Sequence, residues 1–184
     1  MSATKLLILF SAIILTFSNC YGGDGNWATN QLGGVENATI IARPISVKAW
    51  RTVGSLELEN GNSFPSDSFI TNLYRKSGSA ILVSTNLAAQ LSKVLLDEHS
   101  YPPLSQISKS CFPEPGVVIT FFDGKKNVDV FFCFECAILI IETDGKATAG
   151  GLQTDFDPSR TELVRIIKKI FPQDARIQSL QESE

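Results

Sequence analysis

The chain reads as an α+β protein: an antiparallel sheet centred on residues 117–141, covered by two amphipathic helices. Three observations carry this. Val117-Val118-Ile119-Thr120-Phe121-Phe122 and Val128-Asp129-Val130-Phe131-Phe132 flank Asp123-Gly124-Lys125-Lys126-Asn127, the clearest hairpin pattern in the chain. A third apolar run, Ala137–Ile141, follows and stops before Asp144-Gly145. Apolarity that is nearly continuous from Val128 to Ile141 predicts a strand in mid-sheet with both faces covered. Two segments with helical periodicity, one on each side of this region, supply the layer that a sheet needs in order to bury its apolar face.

In chain order, Thr39-Ile40-Ile41-Ala42 and Ile45-Ser46-Val47-Lys48-Ala49-Trp50 are rich in β-branched residues. They are expected as strands interrupted at Pro44, which has no N–H to give to a ladder. Ser55-Leu56-Glu57-Leu58-Glu59 alternates and ends at Asn60-Gly61, a tight-turn dipeptide. Residues 62–68 read as loop and Ser79–Val83 as a further strand. Thr85 is placed to cap a helix over 85–98 whose Leu87, Ala88, Leu91, Val94 and Leu95 form one apolar stripe, ended by Tyr101-Pro102-Pro103. Asp157 with Pro158 opens a helix over 158–171, with Leu163, Ile166, Ile167, Ile170 and Phe171 on its buried stripe. Its other face carries Arg160, Arg165, Lys168 and Lys169, read as solvated.

Ahead of this domain lies an export pattern: a single charge at Lys5, the apolar run Leu6–Phe17, then Ser18-Asn19-Cys20. The run falls short of the roughly twenty residues a membrane span needs, and no basic stop-transfer flank follows it. Residues 1–19 are therefore expected to be a signal peptide. Phe17-Ser18-Asn19-Cys20 resembles the bacterial lipoprotein signal, in which the cysteine is acylated and becomes the new N-terminus. Ser18 and Cys20 match that pattern, while Phe17 and Asn19 replace its usual leucine-like and small residues. The resemblance implies cleavage before Cys20, a lipid there, and a cell-envelope protein held to the membrane by it; an ordinary secretory signal is the alternative. Residues 20–38, rich in Gly, Asn and Asp, are expected to be a flexible tether, and residues 39–184 a single domain.

Composition narrows the partners. The chain has 16 basic and 19 acidic side chains and a formal net charge of −3. Loss of Lys5 with the signal would make the remainder more acidic still. Binding to nucleic acid needs a concentrated basic face, so no nucleic-acid partner is expected.

The remaining chemistry rests on Cys111, Cys133 and Cys136. Cys133-Phe134-Glu135-Cys136 has the CxxC spacing of redox dithiols and zinc knuckles. A redox pair opens a helix whose N-terminus supports the thiolate, whereas this one is flanked by strand-like residues. Zinc would need Cys111, Cys133, Cys136 and the single histidine, His99. The plainer expectation is a disulfide from Cys111 to one member of the CxxC, with the other buried as a small hydrophobe. An extended i to i+3 span is near 10 Å, so Cys133 reaches Cys136 only through a tight turn at Phe134-Glu135. Asp155 and Asp157 could hold a cation from one strand face, although Asp157 has a capping role. Asn37-Ala38-Thr39 has the form of a glycosylation acceptor. Gly23-Asp24-Gly25-Asn26-Trp27-Ala28 mimics a dinucleotide loop without the strand that should precede it. No G-x-S-x-G or P-loop is present.

From about Thr85 to Leu180 the chain resembles an uncharacterised bacterial envelope family through Cys111-Phe112-Pro113-Glu114-Pro115-Gly116, Cys133–Cys136 and Phe171-Pro172-Gln173-Asp174-Ala175-Arg176-Ile177. The resemblance implies no particular activity or cofactor. The expectation is an exported, lipid-anchored, non-catalytic binding or structural protein. Its partners would be the membrane, through the N-terminal lipid, and a protein or small-molecule ligand, with no cofactor. The alternative is a thiol or metal site built on Cys111, Cys133 and Cys136.

Overall fold

The structure is a computed structural model that describes residues 27–53, 74–103, 109, 111, 113–147 and 153–182. Among the described residues seven strands, β1 (Ser46–Val53), β2 (Arg75–Leu82), β3 (Val117–Phe122), β4 (Asn127–Cys133), β5 (Ile138–Thr143), β6 (Lys146–Ala147) and β7 (Gln153–Asp155), form one sheet. Its order is β2-β1-β3-β4-β5-β6, with β7 also pairing β5, and every pairing is antiparallel. Five α-helices among the described residues accompany it: α1 (Trp27–Gln31), α2 (Val35–Ala42), α3 (Thr85–Leu96), α4 (Arg160–Ile170) and α5 (Ala175–Gln178). The α+β class and the central β3–β4–β5 meander are as the sequence predicts. The expected strand at 55–59 and its turn lie outside the described residues.

The meander follows from alternation and turn chemistry. Along β3 and β4, Val117, Ile119, Phe121, Val128, Val130 and Phe132 point to one face, and Val118 and Phe131 to the other. At the β3–β4 turn Asp123 Oδ1 accepts from the amides of Lys125 and Lys126, both at 2.8 Å. Gly124 there has φ 100°, a conformation that favours glycine; the nearest atom to a Cβ would be the tip of the exposed Ile45 side chain, which can move aside. Between β5 and β6, Asp144 and Gly145 have φ of 51° and 69°. Two left-handed residues in a two-residue loop make a turn whose twist suits the strands it joins.

The first face of the sheet packs under α2, α3 and α4. Phe121, Phe132, Leu139, Ile141, Leu91, Leu95, Leu163 and Ile167 are fully buried there, each contributing about 1.5–3 kcal/mol. The second face carries a smaller cluster of Val118, Phe131, Ile138 and Ile140, with Tyr74, Cys133 and Cys136, flanked by Trp50. Apolar residues on both faces account for the nearly continuous hydrophobic run of β4 and β5.

Several expectations need correction. Thr39–Ala42 is helical, within α2, rather than a strand. Asn37, Ala38, Ile40 and Ile41 recur at helical spacing and are buried, so packing of that face overrides the β preference of the isoleucines. Residues 27–38 are not tether: α1 and α2 dock through Ala28, Leu32, Ala38 and Ile41, turning at Gly33 and Gly34, both with positive φ. Asn37 is 4% exposed. Its amide donates to Leu32 O at 2.8 Å and its carbonyl accepts from Thr143 at 2.8 Å. A glycan has no access to it in the folded chain.

The N-cap of α3 is Ser84, which accepts from Leu87 N, rather than Thr85. The helix ends at Leu96, where Asp97 accepts from His99 N and a short 3-10 turn begins. Pro158 lies in a second 3-10 turn, Asp157–Ser159, that precedes α4, and neither N-cap residue, Phe156 or Ser159, caps with its own side chain. The basic face of α4 meets the C-terminal residues rather than only water. Arg160 donates to Gln181 O, and Arg165 and Lys168 pair with Glu182 at 2.9 and 3.7 Å.

Candidate functional site

Two groups of chemically active side chains stand out, one at each end of the second sheet face. The first is the cysteine turn. Cys133 ends β4 and pairs with Ile138 at the start of β5, so residues 134–137 form a four-residue hairpin loop in which Ala137 has φ 49°. The tight turn that the CxxC required is therefore present. Cys136, in that loop, forms a disulfide with Cys111, their Cα atoms 6.2 Å apart, a separation typical of such bridges. Cys133 is a buried free thiol. This is the expected arrangement, one bridge and one buried cysteine.

Lys109 locks the turn in place. Its Nζ donates to Cys136 O at 2.8 Å and lies 3.0 and 2.8 Å from carboxylate oxygens of Asp155 and Asp157. Asp155 Oδ1 in turn accepts from Asp157 N. The acidic pair expected to hold a cation or cap a helix thus surrounds the ammonium of this chain's own lysine. Arg160 adds a bond to Phe134 O. Behind the turn, Phe134 stacks on Phe132, and both meet Phe156 edge-on with ring centres 5.8 and 6.2 Å away. An open cleft of about 280 Å³ is lined by Lys109, Cys111, Glu135, Cys136, Asp157 and Arg160.

The zinc alternative does not assemble. Cys111 and Cys136 are joined to each other, so neither is a thiolate ligand. His99 is exposed, and its Nδ1 lies 2.9 Å from Asp97 Oδ1, which raises its pKa. Among the described residues no group of three His, Cys, Asp or Glu side chains could hold a metal.

The second group is an acid pair that sequence reading missed. Asp129 on β4 and Glu142 on β5 are register partners, so both side chains leave the same sheet face side by side. They are only 5% and 2% exposed. Asp129 accepts from Thr120 Oγ1, whereas Glu142 Oε2 is buried without a hydrogen-bond partner. Burial, with Asp129 adding repulsion, pushes the Glu142 pKa up to about 7. Burial raises that of Asp129 as well, against the Thr120 bond and the charge of Lys76. Lys76 Nζ sits 3.8 Å from the centre of the Trp50 ring, and burial lowers its pKa. Lys48, Trp50, Lys76, Thr120, Phe122 and Asp129 line an open cleft of about 330 Å³ beside the pair.

The Asp129 carboxylate accepts from the Thr120 hydroxyl, and the one histidine lies in an exposed 3-10 turn. The two clefts present paired charges, and the one beside Asp129 adds the Trp50 ring. Comparison with known protein families, with curated proteins and with solved structures found no significant match. Cys20 and the export segment lie outside the described residues. No described helix is long and apolar enough to cross a membrane.

Proposed function

We propose that the chain is an exported domain of the cell envelope, anchored by a lipid on Cys20, that binds a protein or small-molecule ligand without transforming it. The observation that supports this best is the Cys111–Cys136 bridge. Disulfides of this kind persist in oxidising compartments, which agrees with the export pattern of Lys5, Leu6–Phe17 and Cys20. The bridge also removes two of the three cysteines that a zinc or dithiol centre would use, and Asp155 and Asp157 are engaged by Lys109. The cleft beside Trp50, Lys48 and Asp129 is the surface to which this reading assigns the ligand.

The test is the intact mass of the protein made in its native host, before and after reduction and alkylation. Acylation at an N-terminal Cys20, with a gain of two hydrogens on reduction, is the expected result. A chain that retains residues 1–19, or one with three free thiols and bound zinc, would overturn the reading.

A further inference from the structure

We propose that Cys133 is an internal nucleophile that exchanges the Cys111–Cys136 bridge for Cys133–Cys136, releasing Cys111 as a surface thiol that forms mixed disulfides with small-molecule disulfides. This goes beyond the binding role and does not depend on it. Three observations converge on the exchange. The four-residue loop after Cys133 is of the kind built around a type I turn, which brings residues i and i+3 within about 7 Å; that meets the Cα spacing of a disulfide. Cys133 and Cys136 pack in one cluster, with Val118, Phe131 and Tyr74, so both side chains are on the same sheet face. Cys111 is exposed at an open cleft lined by Lys109 and Arg160 and also by Glu135 and Asp157, so the thiol released there is accessible to a small-molecule disulfide.

The chemistry balances within the chain. The Cys133 thiolate attacks Cys136 Sγ, the Cys133–Cys136 bond forms as Cys136–Cys111 breaks, and the electron pair leaves on Cys111 Sγ. Cys111 takes up the proton that Cys133 gave up, and no oxidant is consumed. In a second step the Cys111 thiolate attacks an external disulfide. It forms a mixed disulfide and expels one thiolate, the external disulfide being the oxidant. The short Cys133–Cys136 loop keeps the β4–β5 hairpin closed throughout.

The experiment incubates the oxidised full-length protein with glutathione disulfide at mildly alkaline pH. Acid quenching, denaturing alkylation and peptide mapping follow. The expected map has glutathione on Cys111 and a Cys133–Cys136 bridge, and Cys133→Ala loses the label altogether. Recovery of an intact Cys111–Cys136 bridge with Cys133 alkylated, or of glutathione on Cys133 itself, would overturn the proposal. The wild-type map decides the matter even where the alanine variant folds poorly. Cys111→Ser adds a second readout: the variant should lose two hydrogens on mild oxidation, and persistence of both its thiols would count against the exchange.

Discussion

Replacing Glu142 with glutamine should make the protein markedly more stable above neutral pH and leave it nearly unchanged in acid. Glu142 is 2% exposed, its Oε2 has no partner, and burial raises its pKa from 4.5 to about 7. Between those two values the folded chain holds a proton that the unfolded chain has released. Stability therefore falls as pH rises through this window, and the full cost is present above pH 7. At 1.36 kcal/mol per pKa unit the cost is about 3 kcal/mol. A glutamine at this position would keep the shape, carry no charge at any pH and place an amide donor beside the Asp129 carboxylate. Urea unfolding of the two proteins, repeated from pH 4 to pH 8, should give curves that meet near pH 4 and diverge to about 3 kcal/mol at pH 8. Parallel curves over that range would refute the reasoning, because they would mean that Glu142 ionises as readily in the folded chain as in the unfolded one.

Loss of the bridge in Cys111→Ser should cost about 3 kcal/mol from the entropy of a loop closed over a separation of 25 residues. Reduced wild type should match it in thermal unfolding. Lys109→Met strands the buried Asp155 carboxylate, whose side chain is 6% exposed, and should cost about 3 kcal/mol. Asp157→Asn, at a partner 58% exposed, should cost under about 1 kcal/mol. Equal losses for the two in denaturant titrations would show that Asp155 does not depend on the lysine. Phe156→Ala empties a fully buried site against Phe132 and Phe134. It should cost about 3–5 kcal/mol, read as a fall in the urea midpoint.

What could be read from the residues alone was whatever depends on local pattern. The β3–β4 hairpin showed through because alternation and the Asp123-Gly124 turn agree with each other and with the final packing. The stripe of α4 was legible for the same reason. Residues 35–42 were not, since the β-branched Thr39-Ile40-Ile41 outweighs a helical spacing that becomes visible only when Val35–Ala38 are counted with them. The acid pair left no local trace: Asp129 and Glu142 are distant in sequence, and only the β4–β5 register makes them neighbours. Asp155 and Asp157 were recognisable as a place for a positive charge. That the charge is Lys109, from a separate loop, depends on tertiary folding. The cysteines fell between these cases, because spacing limits which pairs can form and only the turn at residues 134–137 selects among them.

The early start of α1 at Trp27 has a mechanical consequence for any anchoring through Cys20. Residues 21–26 span at most about 25 Å when fully drawn out, less than the diameter of a folded unit of roughly 150 residues, whose radius of gyration alone is about 15 Å. On so short a leash the domain could neither reach far from the bilayer nor turn every side toward the surroundings. Whatever it holds would be met within one protein diameter of the lipid headgroups, by diffusion along the surface as much as from solution.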